Sequence, residues 1–515
     1  MPYDYRPFPY VAPPGLTAPE PRHKVVIVGA GPIGLALAID LAQYGVASVV
    51  LDDNNVVSIG SRAICWSKRS LEILDRLGVG QKCVDKGVIW KVGRTLHRED
   101  EVWTFDLQPD PGHKMPAFVN LQQYYVEEYL VARAMEFPDL IDLRWKNRVT
   151  GVERSDHATL TVATPDGTYR LEADHLVACD GARSEIRGML GLDFDGELFE
   201  ERFLIADIEM TGDFPSERRF WFEPTFHAGQ SALLHKQPDN IYRIDLQLGW
   251  DADPEAERQP ERVIPRIEKA VGHTDFRLDW VSVYTFQCRR LAQFVHGPVI
   301  FCGDSAHVVS PFGARGGNGG LQDVDALGWR LAAVAQGADA AVLNAYDRER
   351  QHGADENLMN SSRTTRFMSP APGAERLFRD AVLALAGKAS FARPLVNSGR
   401  LSRPCVYPLA GPDDPALPVE ARPGAVAPDA PLAGGWLIDR LGREPVLLAI
   451  GQPAPKLPGL KVLELSVTPK LQARYLGKAT QAIYLIRPDQ IVAARWMAAT
   501  PEAIATAAAA IWRDA

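Results

Sequence analysis

Residues 24–45, KVVIVGAGPIGLALAIDLAQYG, decide the fold. Residues 24–28 are a short apolar run ended by a glycine, the pattern of a strand buried on both faces. Residues 32–44 place Ile33, Leu35, Leu37 and Leu41 at helical spacing. Residues 48–53, SVVLDD, are a second buried strand. Strand, glycine turn, helix and strand make a βαβ unit. Gly29, Gly31 and Gly34 form GxGxxG in the turn, with Ala30 and Pro32 between them. Such a turn bends tightly, lets backbone approach a pyrophosphate and packs the helix close. Asp52, with Asp53 beside it, ends the second strand 23 residues after Gly29, where an acid reaches a ribose hydroxyl. These residues imply a Rossmann-like dinucleotide-binding domain and leave FAD and NAD both open.

Outside this unit the chain has the composition of a globular protein. Its 515 residues predict two or three domains, and 46% are hydrophobic and 23% charged. A net charge of −9 argues against general nucleic-acid binding, which needs a basic field. The cysteines at 65, 83, 179, 288, 302 and 405 include no CxxC pair, which suits reduced thiols in a cytoplasm. No run of 18 apolar residues predicts a membrane helix, and the N-terminus lacks the apolar core of a signal peptide. No His, Cys or Asp cluster has metal-ligand spacing, so no metal is expected.

The organisation follows from composition. Residues 1–22, rich in proline and aromatics, form an arm. Residues 23–200 hold the βαβ unit, further helices and a small β-meander. Residues 201–290 are β-rich and look like an inserted domain. Residues 291–402 return to a buried strand, VIFCGDSAH, and long helices. Proline and glycine dominate residues 403–432, which read as a linker. Residues 433–515 read as a compact α/β unit.

Two later segments separate the cofactors. HLVACDGARSEIRGMLG places Asp180 and Gly181 after a strand, and VIFCGDSAHVVSPFGARGGNGGLQDVDALGWRLA places Gly303 and Asp304 at a strand end. The second contains five glycines in residues 311–320, directly before a helix. With GxGxxG, these segments resemble the flavoprotein aromatic hydroxylases of the p-hydroxybenzoate hydroxylase fold. The nearest branch is that of 3-(3-hydroxyphenyl)propionate hydroxylase and phenol hydroxylase. The likeness covers roughly residues 22–390, and residues 433–515 resemble the branch's thioredoxin-like domain without the redox cysteines. The implied fold is α/β: a Rossmann-like FAD-binding domain of glutathione reductase type, an inserted β-rich substrate domain and a thioredoxin-like C-terminal domain.

The resemblance implies roles. NADH or NADPH reduces FAD, O₂ adds as a flavin C4a-hydroperoxide, and the distal oxygen passes to a phenolic ring. Asp52 holds the FAD ribose, Arg62 lies by the flavin and pyrophosphate, and Gln123 and Asp304 lie by the ribityl chain. Asp180 belongs to a motif shared by FAD and NAD(P)H. Pro311, Gly316, Gly317 and Asn318 border the isoalloxazine. The usual residues of that loop are replaced by Ala314-Arg315 and Gly317, and Arg315 faces either an anionic substrate or solvent. Alternation puts Arg243, Asp245 and Gln247 on one strand face. The resemblance turns Asp245 and Gln247 toward the pocket and puts His235 on the partner strand. His235 or Asp245 is then the proton acceptor, with Arg243 and Gln247 assisting, and Trp221, Pro311 and Arg315 join them around the substrate. His307 reads as structural. No second strand–GxGxxG–helix unit is present, which favours a hydroxylase over a reductase. The expected substrate is a single-ring phenol or a hydroxylated aromatic acid. A larger polyketide-like substrate, or a non-catalytic FAD sensor, is the alternative, and association into a homodimer is left open.

Overall fold

The computed structural model describes residues 3–513 except Ser61, Asp213, 249–251, Phe312, 397–400 and Ser402. A parallel sheet runs in the order Val299–Phe301, Gly167–Ala178, His23–Val28, Ser48–Asp52, Ile141–Trp145. Its central strand is wholly buried at Val25, Val26 and Ile27, as expected of a strand with helices on both faces. The helix Pro32–Gln43 packs on this sheet and on a second helix, Gly316–Ala335, called here the glycine-rich helix. The expected meander is the antiparallel set Arg148–Arg154, Ala158–Thr164 and Gly167–Ala178.

The β-rich layer is an eight-stranded sheet. Its central strands run in the order Arg277–Arg290, Asp195–Glu209, Ile241–Gln247, Ser231–Lys236, Arg218–Phe222. It is not confined to 201–290. Val92–His97 and Asp100–Asp106 extend it, the first pairing parallel to Arg218–Phe222. One face is apolar: Leu204, Tyr242, Ile244 and Leu246 pack on Val263 and Ile267 of the helix Pro260–Val271. The other face mixes Phe203, Phe222 and Leu233 with buried polar side chains.

Two segments depart from composition. Residues 403–432 were expected to be a linker, yet Cys405, Tyr407, Leu417, Ala421 and Ala430 are buried there. Its backbone is bonded to the C-terminal strands, with Gly424 N donating to Val492 O (2.8 Å) and Ala427 N to Gln490 O (2.8 Å). The arm is also fixed. Phe8 N donates to Asn55 O (2.7 Å), Phe8 stacks on Trp145, and Gly60 N donates to the Tyr5 hydroxyl (3.1 Å). The arm thereby clamps the loop after Asp52.

The C-terminal sheet orders its strands second, first, third, fourth: Lys461–Leu465, Val446–Ile450, Ala482–Ile486, Val492–Trp496. The first pair is parallel and the others antiparallel. Buried ions join this unit to the body. Arg487 donates to Glu349 at 2.6 and 2.9 Å and to Asp489, while Arg330 donates to Glu349 at 3.0 Å. Arg69 donates to Gln490 Oε1 (2.7 Å) and Asp489 O (2.8 Å). Among the described residues no helix is long and apolar enough to cross a membrane.

Breaking a buried ion pair strands its partner, whereas an exposed pair contributes little. Arg487→Ala is expected to lower unfolding stability by about 3–5 kcal/mol, read from urea midpoints. Arg277→Ala, which frees an exposed pair with Glu209, is expected to cost under about 1 kcal/mol. Equal losses would show that the junction does not anchor the C-terminal unit.

Candidate active site

The site begins at the turn after the central strand. Gly29 has φ 106°, and a Cβ there would meet Cys179 O at 2.4 Å. A Cβ on Gly34 would meet Gly29 O at 1.9 Å. Packing of the chain on itself therefore demands both glycines. Gly31 differs: a Cβ there would meet nothing within 4 Å. Its bareness serves something that approaches the turn from outside the chain. Pro32 opens the helix that follows, so the helix dipole favours an anion at this spot. Asp52 accepts from Ala30 N (2.7 Å) and Asn54 N (2.8 Å), and burial pushes its carboxyl up to about 6. It holds the turn in shape, and Asp53 beside it is exposed.

Three further segments close the cleft. Asp180 Oδ2 accepts from Ile186 N (3.1 Å), and burial raises its carboxyl. Asp304, after Gly303, is enclosed by protein on most sides yet open to solvent at its side chain. Desolvation raises its carboxyl, opposed by the charges of His307 and Arg62. Arg62 is exposed, and its carbonyl accepts from Arg243 Nη1 (3.2 Å). Gln123 accepts from Ala63 N (3.1 Å) and donates to Glu127 (2.8 Å), which steadies the loop that carries Arg62.

The glycine-rich run explains itself residue by residue. Gly313 takes φ 101°, and Ala314 takes a left-handed φ of 54°, which costs a non-glycine residue about 1 kcal/mol. Gly320 lets the helix close on Ile33, since a Cβ would meet Ile33 at 2.6 Å. Gly316 and Gly317 form the helix start, which no side chain caps. Its first amides are free to meet a flat or anionic group. Pro311 is exposed at the loop's edge. Asn318 is turned inward: its Oδ1 accepts from Ser67 N (2.9 Å) and its Nδ2 donates to Cys65 O (2.8 Å). Its amide thereby ties the strand Cys65–Ser67 to the first turn of the glycine-rich helix. Arg315 does not face solvent either. It is 6% exposed, and its Nη1 donates to Asn357 Oδ1 (2.9 Å). His307, as expected, is structural: its Nε2 meets Asp323 Oδ2 at 2.7 Å. Gly31, the uncapped helix start, Asp52 and Asp304 together fit a dinucleotide such as FAD.

Across the strand Cys65–Ser67 lies the polar face of the β-rich sheet. His235 Nδ1 is 3.9 Å from Cys65 Sγ. His235 is buried, and burial together with Arg218 and Arg243 holds its imidazole well below its usual pKa, so it is neutral. Asp245 is buried and its Oδ1 has no hydrogen-bond partner. Burial pushes its carboxyl up to about 6, and the charge of Asp207 adds to this, against Arg243 and Arg218.

Three further expected residues of this sheet are placed as follows. Arg243 is bound to Asp207 through two bonds, Nε–Oδ1 2.9 Å and Nη2–Oδ2 3.0 Å, and through Nη1 it also holds the Arg62 loop. Gln247 accepts from Ser231 N (2.9 Å) and donates to Ser369 Oγ (2.5 Å), which ties it to protein. Trp221 pairs with Ala232, which lies on the apolar face, and it packs on Phe226 away from Asp245. The neighbouring phase was the informative one. Arg218 shares the face of Phe220 and Phe222, is buried, and leaves Nη1 without a partner. Its place in RRFWF, two residues before Phe220, was the available signal. Among the described residues no metal-binding cluster is present.

The comparisons agree with this geometry. The FAD-binding domain family matches residues 22–361. A flavin-dependent monooxygenase of Mycobacteroides abscessus is 30% identical over 485 residues, covering 90% of this chain and 95% of that protein. The para-nitrophenol 4-monooxygenase of a Pseudomonas strain is 31% identical over 385 residues, covering 72% and 93%. The solved anhydrotetracycline hydroxylase OxyS of Streptomyces rimosus superposes with TM-score 0.73 at 25% identity, covering 96% of this chain and 100% of that one. The turn, the glycine-rich helix start and these likenesses lead to one conclusion: the chain belongs to the FAD-binding family of flavin-dependent monooxygenases.

Proposed function

We propose that the chain hydroxylates a phenolic ring, with NADH or NADPH as electron donor and O₂ as co-substrate. The observation that carries this is Asp245, a buried carboxylate with a partnerless oxygen, beside Arg218 and across Cys65–Ser67 from the flavin cradle. FAD held there would supply the two-electron chemistry by which the coenzyme is oxidised and O₂ is split between the ring hydroxyl and water. The cradle would use the Gly29–Gly34 turn, Asp52, Arg62, Asp304 and the amides of Gly316 and Gly317.

The chain's own residues do the rest. Asp245 takes the phenol proton, which makes the ring electron-rich. The Arg218 guanidinium then stabilises the phenolate. Neutral His235 offers a hydrogen bond and cannot compete for the proton. Phe220, Phe222 and Leu233 on the same face keep water out. A single-ring phenol fits three polar groups so close together. A larger fused-ring substrate is the second reading, favoured by the full-length likeness to the anhydrotetracycline hydroxylase. A cytoplasmic setting fits the six free cysteines. We propose also that residues 433–515 are thioredoxin-like, which the strand order and parallel first pair support. Without CxxC the unit braces the body and does no dithiol chemistry.

Asp245 is a base only when ionised, so activity should rise with pH through about 6. The acid limb of the kcat/KM profile is expected there in the wild type. In Asp245→Asn it should vanish, with a loss of about 100-fold or more. A limb that survives in the variant assigns the base elsewhere. The reaction itself is tested by NADH and NADPH oxidation across a panel of phenols, with hydrogen peroxide measured alongside. Ring-stimulated oxidation with little peroxide is expected, and oxidation that no ring accelerates would refute hydroxylation of this class.

A further inference from the structure

The helix Ala374–Ala386 is apolar on its outer as well as its inner face. Val382, Leu383 and Ala386 turn inward and pack with Phe203, Phe222 and Leu233 of the β-rich sheet and with Met368. The outer face carries Ala374, Leu377, Phe378, Ala381, Ala384 and Leu385, a stripe at helical spacing that is exposed throughout. Leu377 is 72% exposed and Phe378 57%. Phe391 and Leu395, just beyond the helix, are 70% and 50% exposed. The patch shows water on the order of 600 Å² of apolar surface. A helix side that borders only water is normally polar, and a patch of this size marks an interaction surface.

The stripe is complementary to itself. A two-fold axis at Ala381 sets a second copy antiparallel to the first, and positions equally far from Ala381 on either side then meet. Leu377 meets Leu385 of the second copy, and Phe378 meets its small Ala384. Ala381 meets itself, and its short side chain lets the two helices approach closely. The helix ends also differ in charge: Glu375 lies in the first turn and Lys388 just past the last. Among the described residues neither forms an ion pair. Antiparallel pairing brings the acidic end of each copy to the basic end of the other and sets the helix dipoles head to tail.

We propose that this face joins two copies of the chain into a dimer. A stable interface buries roughly 800 Å² a side, which the patch and its charged rim approach. A lipid surface asks for lysines and arginines around the stripe, whereas this rim carries both signs, with Glu375 and Asp380 beside Arg376. The proposal concerns assembly and is independent of the reaction.

The test follows FAD-loaded enzyme by sedimentation velocity across the micromolar range. A dimer is expected for the wild type. Ala381→Glu sets like charges face to face on the axis and should raise the dimer dissociation constant about ten-fold or more. The position is exposed, so the variant should fold and keep its flavin. A second measurement reads the register. Ala381→Cys should link two chains by a disulfide when diamide is added, the two thiols passing two electrons and two protons to the diamide. Lys388→Cys, about two turns from the axis, should not link beyond the wild-type level. A wild type that stays monomeric, a dimer untouched by Ala381→Glu, or equal linking at the two positions overturns the proposal. A monomer that sediments with phosphatidylglycerol vesicles overturns it as well and assigns the stripe to a membrane.

Discussion

One buried carboxylate organises the cofactor side of the molecule. Asp323, on the glycine-rich helix, is fully enclosed. It accepts from Gly303 N (2.9 Å), lies 2.7 Å from His307 Nε2 and takes a bond from Arg350 Nε (2.5 Å). Burial alone would raise its pKa, but His307 and Arg350 outweigh that and hold it at about 2. The charge therefore persists at any working pH. Through it the strand end that carries Asp304 is fixed to the helix whose first turn faces the cofactor. Arg350 carries the restraint further, donating to the Tyr407 hydroxyl (2.7 Å) in the proline-rich segment.

The same logic separates the two halves of the site. On the cofactor side, side-chain oxygens of Asp52, Asp180, Asn318 and Asp323 hold backbone N–H groups, and glycines appear where a Cβ would collide or intrude. On the sheet side Asp245 and Arg218 each leave a buried polar atom without a partner among the described residues, as Asp180 and His307 do beside the cradle. Unsatisfied buried groups cost free energy, so their retention together is a mark of a site built for a ligand. Cys65–Ser67 links the halves, bound to Asn318 on one side and close to His235 on the other.

What was legible in the sequence follows the range of the interactions. Gly34 is demanded by nearby Gly29, and the strand and helix flanking the turn carry their own apolar periodicity, so the unit could be read directly; the collision that demands Gly29 comes from Cys179, far along the chain, and carries no such signal. The phase of a strand is set by its partner's register, and single-sequence reading has no access to it. Trp221 reads as a pocket wall and Arg218 does not for that reason: the two sit three residues apart and face opposite layers. Arg243 and Gln247 lie on the expected face, but Asp207 and Ser369, far off in sequence, had already engaged them. The proline-rich segment misled because its burial comes from docking on strands some 70 residues later, as at Gly424 and Val492. The ions of the C-terminal junction carry no sequence signal for the same cause: Arg487 and Glu349, or Arg69 and Gln490, lie far apart in the chain.

The most direct measurement is the dissociation constant of FAD from Asp323→Asn, followed by flavin fluorescence in protein shown to be folded by circular dichroism. The substitution keeps the shape and removes the charge that joins His307, Arg350 and the Gly303 turn. The account predicts FAD binding weakened by about ten-fold or more, since the turn and the helix start lose their common anchor. Folded Asp323→Asn protein that holds FAD as tightly as the wild type would contradict it.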